Sequence, residues 1–418
     1  MNNLTMRLRM LLTVSALLLL VPVFAIDKRT KVDRLTYLLN SKKLTASLQK
    51  TLKDSATYEG DIIIPSAITV DSLTYTVNEI GVGTFSGSKK ITSILIPSSV
   101  VRIGAETFAR CSALTSVEIP ASVTTLPRGL FADCTSLKTV HLPATLRDLA
   151  SATFKGCTSL DSVCIPNGVT TIPYNTFIHC KNLRHVEIPA SVTKIGNSAF
   201  QDCTSLEDID LPNGVKAIGW IAFKGCTSLK KFVFPGKVDN VANSIFEDCA
   251  ALERVVLSNS VKGIGHDAFK NCSSLDSVYI PNSVKDLAAS VFEGCTSMRR
   301  VSLPNSIADI PSKAFKGCAS LAEIRLPSSL KKIDGSAFEG CISIERIVIP
   351  PAVADIGGDA FNGCSQLMTV ECKSGKPAKI SGSSFSKDTY KLGMLMVRNR
   401  LAYEQDKKWA KFVNIQEL

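Results

Sequence analysis

The stretch Leu114-Thr-Ser-Val117-Glu-Ile119-Pro120-Ala-Ser-Val123-Thr-Thr-Leu126, continuing to Phe131-Ala-Asp-Cys134, holds one complete structural unit. Val117 and Ile119 alternate with Ser116 and Glu118, the period of two expected of a half-buried strand. Pro120 ends that strand, because it has no N–H to give to a neighbouring strand. Val123 and Leu126 point inward again through a second short extended piece. The segment ending in Phe131 and Cys134 reads as a short helical or 3-10 turn on the opposite side.

The unit repeats. Thirteen phenylalanines from Phe85 to Phe361 stand 23 residues apart, and twelve cysteines from Cys111 to Cys364 keep the same step. Proline keeps it from Pro97 to Pro350 and fails once, at Ser258. Three registers locked to one period mark a solenoid, in which each turn buries its apolar face against its neighbours. Stacked parallel strands lie about 4.8 Å apart, so twelve steps span roughly 60 Å. A hydrophobic content of 45% supports a large core, and an aromatic content of only 6% points to aliphatic layers.

The pattern L-x-x-V-x-I-P-x-S-V-x-x-I-x-x-x-A-F-x-x-C resembles the leucine-rich repeats of BspA-type bacterial surface proteins, over about residues 60–372. The stretch Leu395-Met-Val397, Tyr403, Trp409 to Phe412 and Ile415 is similar to the closing segment of such proteins. It departs from them at Arg398, where a proline is usual. The resemblance implies a right-handed, β-rich leucine-rich-repeat solenoid with one parallel strand per turn. It also implies adhesion to host surfaces, though no particular partner. The organisation expected is a signal peptide at 1–25, an N-terminal cap at 26–85, the array at 86–372 and a C-terminal cap at 373–418. Caps are needed because a terminal repeat otherwise exposes its apolar layer.

The signal peptide is read from Arg7 and Arg9, the apolar run Met10–Val21 and the small residues of Val23-Phe24-Ala25, with cleavage after Ala25. The apolar run is too short to span a bilayer. With no cysteine before Cys111, lipid modification at the N-terminus is not expected. The expectation is an exported chain without a transmembrane anchor, secreted or on the cell surface, with the periplasm as a third destination.

A net charge of +11 suggests nucleic acid until the charges are located. The first 25 residues hold two of the basic side chains. Residues 26–54 carry 8 basic and 3 acidic side chains, and residues 373–418 carry 10 and 4. Of the totals of 48 and 37, that leaves 28 basic against 30 acidic in residues 55–372. The body is nearly neutral and lacks the continuous basic stripe a nucleic-acid binder needs.

Fourteen cysteines in an exported chain suggest disulfides. Twelve of them, however, occupy one equivalent position per turn, so their Cβ vectors run parallel and hold the sulfurs apart. Buried thiols acting as compact hydrophobes are expected instead. Zinc is not expected, since no C-x-x-C pair occurs. No cofactor, metal or catalytic residue is assigned. One constellation stands out: His141, Cys164 and Glu187 share an outward strand position on successive turns, with His185 two residues from Glu187. A Cys–His pair or metal site is conceivable there, but no orienting third group or pocket is implied.

The outward strand positions are the ones the core leaves free. They place an apolar centre at Val233, Val256 and Tyr279, with Arg254, Arg300 and Arg325 beside it and an acidic patch at Glu187, Asp208 and Asp210. An aromatic anchor flanked by arginines has the composition of a binding hot spot. The competing reading is that valines on a parallel sheet reflect strand propensity. The function expected is protein–protein binding, with a host extracellular-matrix or mucosal surface protein as the partner and no enzymatic activity. A structural spacer and a glycan-binding module are the alternatives. Glycan capture calls for exposed aromatics, and Tyr279 is the only one in that column.

Overall fold

The computed structural model describes residues 28–51 and 58–418; the expected signal peptide lies outside the described residues. Each 23-residue unit makes one turn of a parallel solenoid carrying two strand ladders. On the first, Ser116–Glu118 pairs with Thr139–His141, Val117 opposite Val140. On the second, Thr125–Leu126 pairs with Asp148–Leu149. Because the register advances by one repeat per rung, each inward side chain meets its own counterpart. Val117, Ile119, Val123 and Leu126 are buried, whereas Ser116 and Glu118 are exposed. The Pro120 carbonyl accepts the Val123 N–H at 3.0 Å and turns the chain between the two strands. The same proline turn recurs from Pro97 to Pro350.

One rung is irregular. Asp208, Ile209 and Asp210 hold the first-ladder position without strand pairing. Asp is a poor strand former, and here Glu207, Asp208 and Asp210 crowd three carboxylates into four residues.

The core contains a column of phenylalanine rings running unbroken from Phe85 to Phe385. Successive centroids are 5.3 Å apart from Phe177 to Phe200 and from Phe200 to Phe223, with the latter pair 2° from parallel. Full burial of such a side chain contributes about 1.5–3 kcal/mol relative to exposure. Beside the rings runs the cysteine column. Each thiol from Cys111 to Cys364 donates to the phenylalanine carbonyl of the preceding turn, as Cys226 Sγ does to Phe200 O at 3.1 Å. All fourteen cysteines are free, and Cys164 is the exposed one. Thus the thiol both fills a slot and ties adjacent turns together, a role that a purely apolar side chain of that size cannot fill.

The segment expected as a short helical or 3-10 turn is a run of i→i+3 turns, such as Ala109 N–H to Glu106 O and Cys111 N–H to Phe108 O. Two left-handed residues per turn keep it from continuing as a helix; in this turn they are Glu106 (φ 56°) and Arg110 (φ 61°). At the equivalent of Glu106, most turns place Gly, Asn, Asp or Ser, which tolerate this conformation. One turn places Ile221 there, at φ 50°, and it is the only β-branched side chain among the described left-handed residues.

The first rungs lie inside the segment expected as the N-terminal cap. Glu59–Ile63 already pairs in parallel with Lys90–Leu95, and Glu79–Ile80 with Arg102–Ile103. Before them, Lys28–Val32, Leu35–Asn40 and Thr45–Gln49 form antiparallel hairpins that extend the second ladder. At the far end, Tyr390, Trp409 and Phe412 pack edge to face or tilted against Phe385, while Trp409 and Phe412 stack on each other. The Trp409 indole N–H donates to Ala378 O at 2.7 Å. Two helices carry this closure, Lys387–Leu392 capped by Ser386 and Arg400–Gln405 capped by Asn399.

Candidate interaction surface

The first ladder places its outward residues in a single row, one per turn. Val233, Val256 and Tyr279 are 60%, 39% and 63% exposed and follow one another across three rungs. Two positions before Val256, Arg254 lies opposite Lys231 and Ser277, and Ser277 in turn opposite Arg300. Among the described residues, neither Arg254 nor Arg300 is engaged in an ion pair. Arg325, fully outward, sits 4.0 Å from Glu323 of its own strand. Toward the N-terminus, Glu187, Asp208 and Asp210 are exposed in the same two rows. The acidic patch is smaller than its sequence suggests, because Lys230 pairs with Glu207 at 3.0 Å. Arg346 is also removed from the basic side, since it and Lys373 bind the buried carboxylate of Glu371.

His141, Cys164 and Glu187 do come together, lining a shallow hollow of about 350 Å³. His185 stands opposite Ser162 in the strand register, one row away. The Glu187 carboxylate beside the Cys164 thiol, together with some burial, raises its pKa. A nucleophilic cysteine needs the opposite, a neighbouring cation that favours the thiolate. Among the described residues no group of three or more His, Cys, Asp or Glu is placed to hold a metal ion. The buried thiols are pushed up further by desolvation, Cys111 and Cys364 to about 12.

Two exposed aromatics lie away from the strand row, in the turns after the second ladder. They are Tyr174 and Trp220, 53% and 62% exposed. They are separated by two repeats, and that spacing was the signal available in the sequence.

A parallel solenoid with a core of stacked phenylalanines and a varied outward strand row defines a leucine-rich-repeat protein. More narrowly, the BspA-type leucine-rich-repeat model matches residues 66–184, 170–299 and 287–407, and the chain belongs to that family. A leucine-rich-repeat protein from Bacteroides ovatus is 30% identical, with 82% of this chain and 94% of that one aligned and a TM-score of 0.67. A leucine-rich cell-surface protein from Faecalibacterium prausnitzii is 27% identical over 83% and 95% of the two chains, with a TM-score of 0.57. No curated protein matches the chain. Among the described residues no helix is long and apolar enough to cross a membrane.

Proposed function

We propose that this chain is an exported adhesin whose first strand face grips another protein, and that it has no enzymatic activity. The observation that carries the reading is the outward row Val233–Val256–Tyr279 beside Arg254, Arg300 and Arg325. It joins apolar area, an aromatic ring and cations, of which Arg254 and Arg300 have no ion-pair partner among the described residues. Interface hot spots favour Tyr and Arg around apolar contact. The separated acidic group at Glu187, Asp208 and Asp210 gives the face a charge polarity that orients a partner. A solenoid face is long and shallow, which suits a macromolecule better than a small substrate. The relative from Faecalibacterium prausnitzii is described as a cell-surface protein, which agrees with placement outside the cell. A host extracellular-matrix or mucosal protein is the proposed partner, and residues 26–85 and 373–418 are the proposed caps.

The test is a pull-down from matrix and mucosal extracts with residues 26–418, beside a Tyr279→Ala, Arg300→Glu, Arg325→Glu variant. A protein retained by the first and lost by the second supports the reading. Retention by neither, or equally by both, removes this face from the account.

A further inference from the structure

The turn that follows the second strand ladder carries a second row, one residue per rung: Ser151, Tyr174, Asn197, Trp220, Asn243 and His266. Tyr174, Trp220 and His266 are exposed and fall on alternate rungs. Their rings therefore recur every two rungs, about 10 Å along the solenoid. The rungs between them carry Asn197 and Asn243. Each amide oxygen accepts a backbone N–H from the next rung, Asn197 from Trp220 at 3.1 Å and Asn243 from His266 at 3.0 Å. That bond fixes the amide plane, and among the described residues both Nδ2 groups have no protein acceptor. The row is thus aromatic, amide donor, aromatic, amide donor, aromatic.

The backbone under Trp220 is held closely. Gly219 passes so near the preceding rung that a Cβ there would lie 2.5 Å from the Asn197 nitrogen. Ile221, on the other side of Trp220, takes the left-handed conformation that β-branched residues avoid. A hollow of about 360 Å³ opens beside Trp220 and crosses three rungs, bordered by Asn240, Asn243, Gly263 and Asp286. Along the second-ladder position flanking the row, Thr171, Ala217, Asn240 and Gly263 carry no charge, while Lys194 and Asp286 carry opposite ones. The residues just before Ala217, Asn240 and Gly263 are Lys216, Asp239 and Lys262, which mix both signs.

From this we infer that the row is a second binding site, for an uncharged, extended β-1,4-linked hexopyranose chain. Such a chain is a flat ribbon whose disaccharide repeat equals the two-rung spacing. Alternate sugar rings lay their C–H faces on Tyr174, Trp220 and His266, and hydroxyls between them accept from Asn197 and Asn243. Lys194, Lys216 and Lys262 stand against Asp239 and Asp286 along the flank, so no single-signed field selects an acidic sugar over a neutral one. This site is on a different face from the protein-binding row and stands independently of it.

Cellopentaose and chitopentaose are the probes. Of the two tryptophans, Trp409 is fully buried, so a change in emission reports Trp220. The expected result is a saturable shift in emission and heat of binding. Affinity should rise from disaccharide to pentasaccharide as the chain reaches from Tyr174 to His266. By calorimetry, Trp220→Ala abolishes binding and Tyr174→Ala weakens it by about tenfold. Val82→Ser, four rungs before Tyr174 in the same row, leaves it unchanged, and circular dichroism confirms that each variant is folded. No response to either pentasaccharide at millimolar concentration overturns the proposal, as does undiminished binding by Trp220→Ala. Tighter binding of polygalacturonate than of both neutral probes overturns the assignment to an uncharged chain.

Discussion

Replacing Phe200 with alanine tests whether the ring column holds the solenoid together. Phe200 is fully buried, with Phe177 and Phe223 each 5.3 Å away and nearly parallel. Removing a buried phenylalanine side chain costs about 3–5 kcal/mol through lost transfer energy and the cavity left behind. The two stacked contacts add about 0.5–1.5 kcal/mol each beyond area burial, partly contained in that range. A total near 5 kcal/mol follows for Phe200→Ala. Phe200→Leu retains most of the apolar volume and should cost about 2 kcal/mol. In a solenoid each turn contacts only its neighbours, so the loss concentrates on the adjoining rungs. Urea unfolding followed by circular dichroism gives the energies, and amide exchange locates them. Faster exchange should be confined to roughly residues 177–223. A loss below about 1 kcal/mol for Phe200→Ala, or equal losses for Leu and Ala, refutes the role given to the column.

Three further expectations concern individual side chains. In the native protein one thiol of fourteen, Cys164, should react with a disulfide reagent, and the other thirteen only after denaturation; Glu187→Gln should speed Cys164 at neutral pH by removing the carboxylate that raises its pKa. Glu371 is held below the ordinary carboxylate value, chiefly by Lys373 and then Arg346, while burial works the other way. A depressed pKa stabilises the fold above the unfolded value and loses that contribution as pH falls through the folded one. The stability gap between wild type and Glu371→Gln should therefore close as pH falls below the ordinary glutamate value of about 4.5, and a gap that is flat with pH contradicts the pairing. Ile221→Asn should raise the unfolding free energy by about 1 kcal/mol, since asparagine accepts the left-handed backbone; a destabilised variant means Ile221 packing outweighs its strain.

The 23-residue period made the architecture readable before any coordinates, because Phe, Cys and Pro each repeat at positions where only one side-chain type packs against its own copy. Val117 and Ile119 against Ser116 and Glu118 likewise gave the inward and outward faces directly. The turns were harder. Glu106, Arg110 and Ile221 carry no sign of left-handed backbone, so the two positions that interrupt the short turn segment in each repeat were not legible. The thiol–carbonyl bonds were invisible because the donor and acceptor are 26 residues apart and only the stacking brings them together. For the same reason Glu371 gave no hint of burial beneath Arg346 and Lys373. The 46-residue separation of Tyr174 and Trp220 puts them in one column, but their exposure depends on the turn after the second strand, which carries no alternating pattern.

Oxidative footprinting of the bound complex reveals which face meets a protein partner. Protection of Val233, Val256 and Tyr279 is expected, while Phe and Cys residues of the core stay unlabelled with or without partner. Protection confined to the turn side, with Tyr279 labelled as strongly as in the free chain, would contradict the placement of the partner on the strand face.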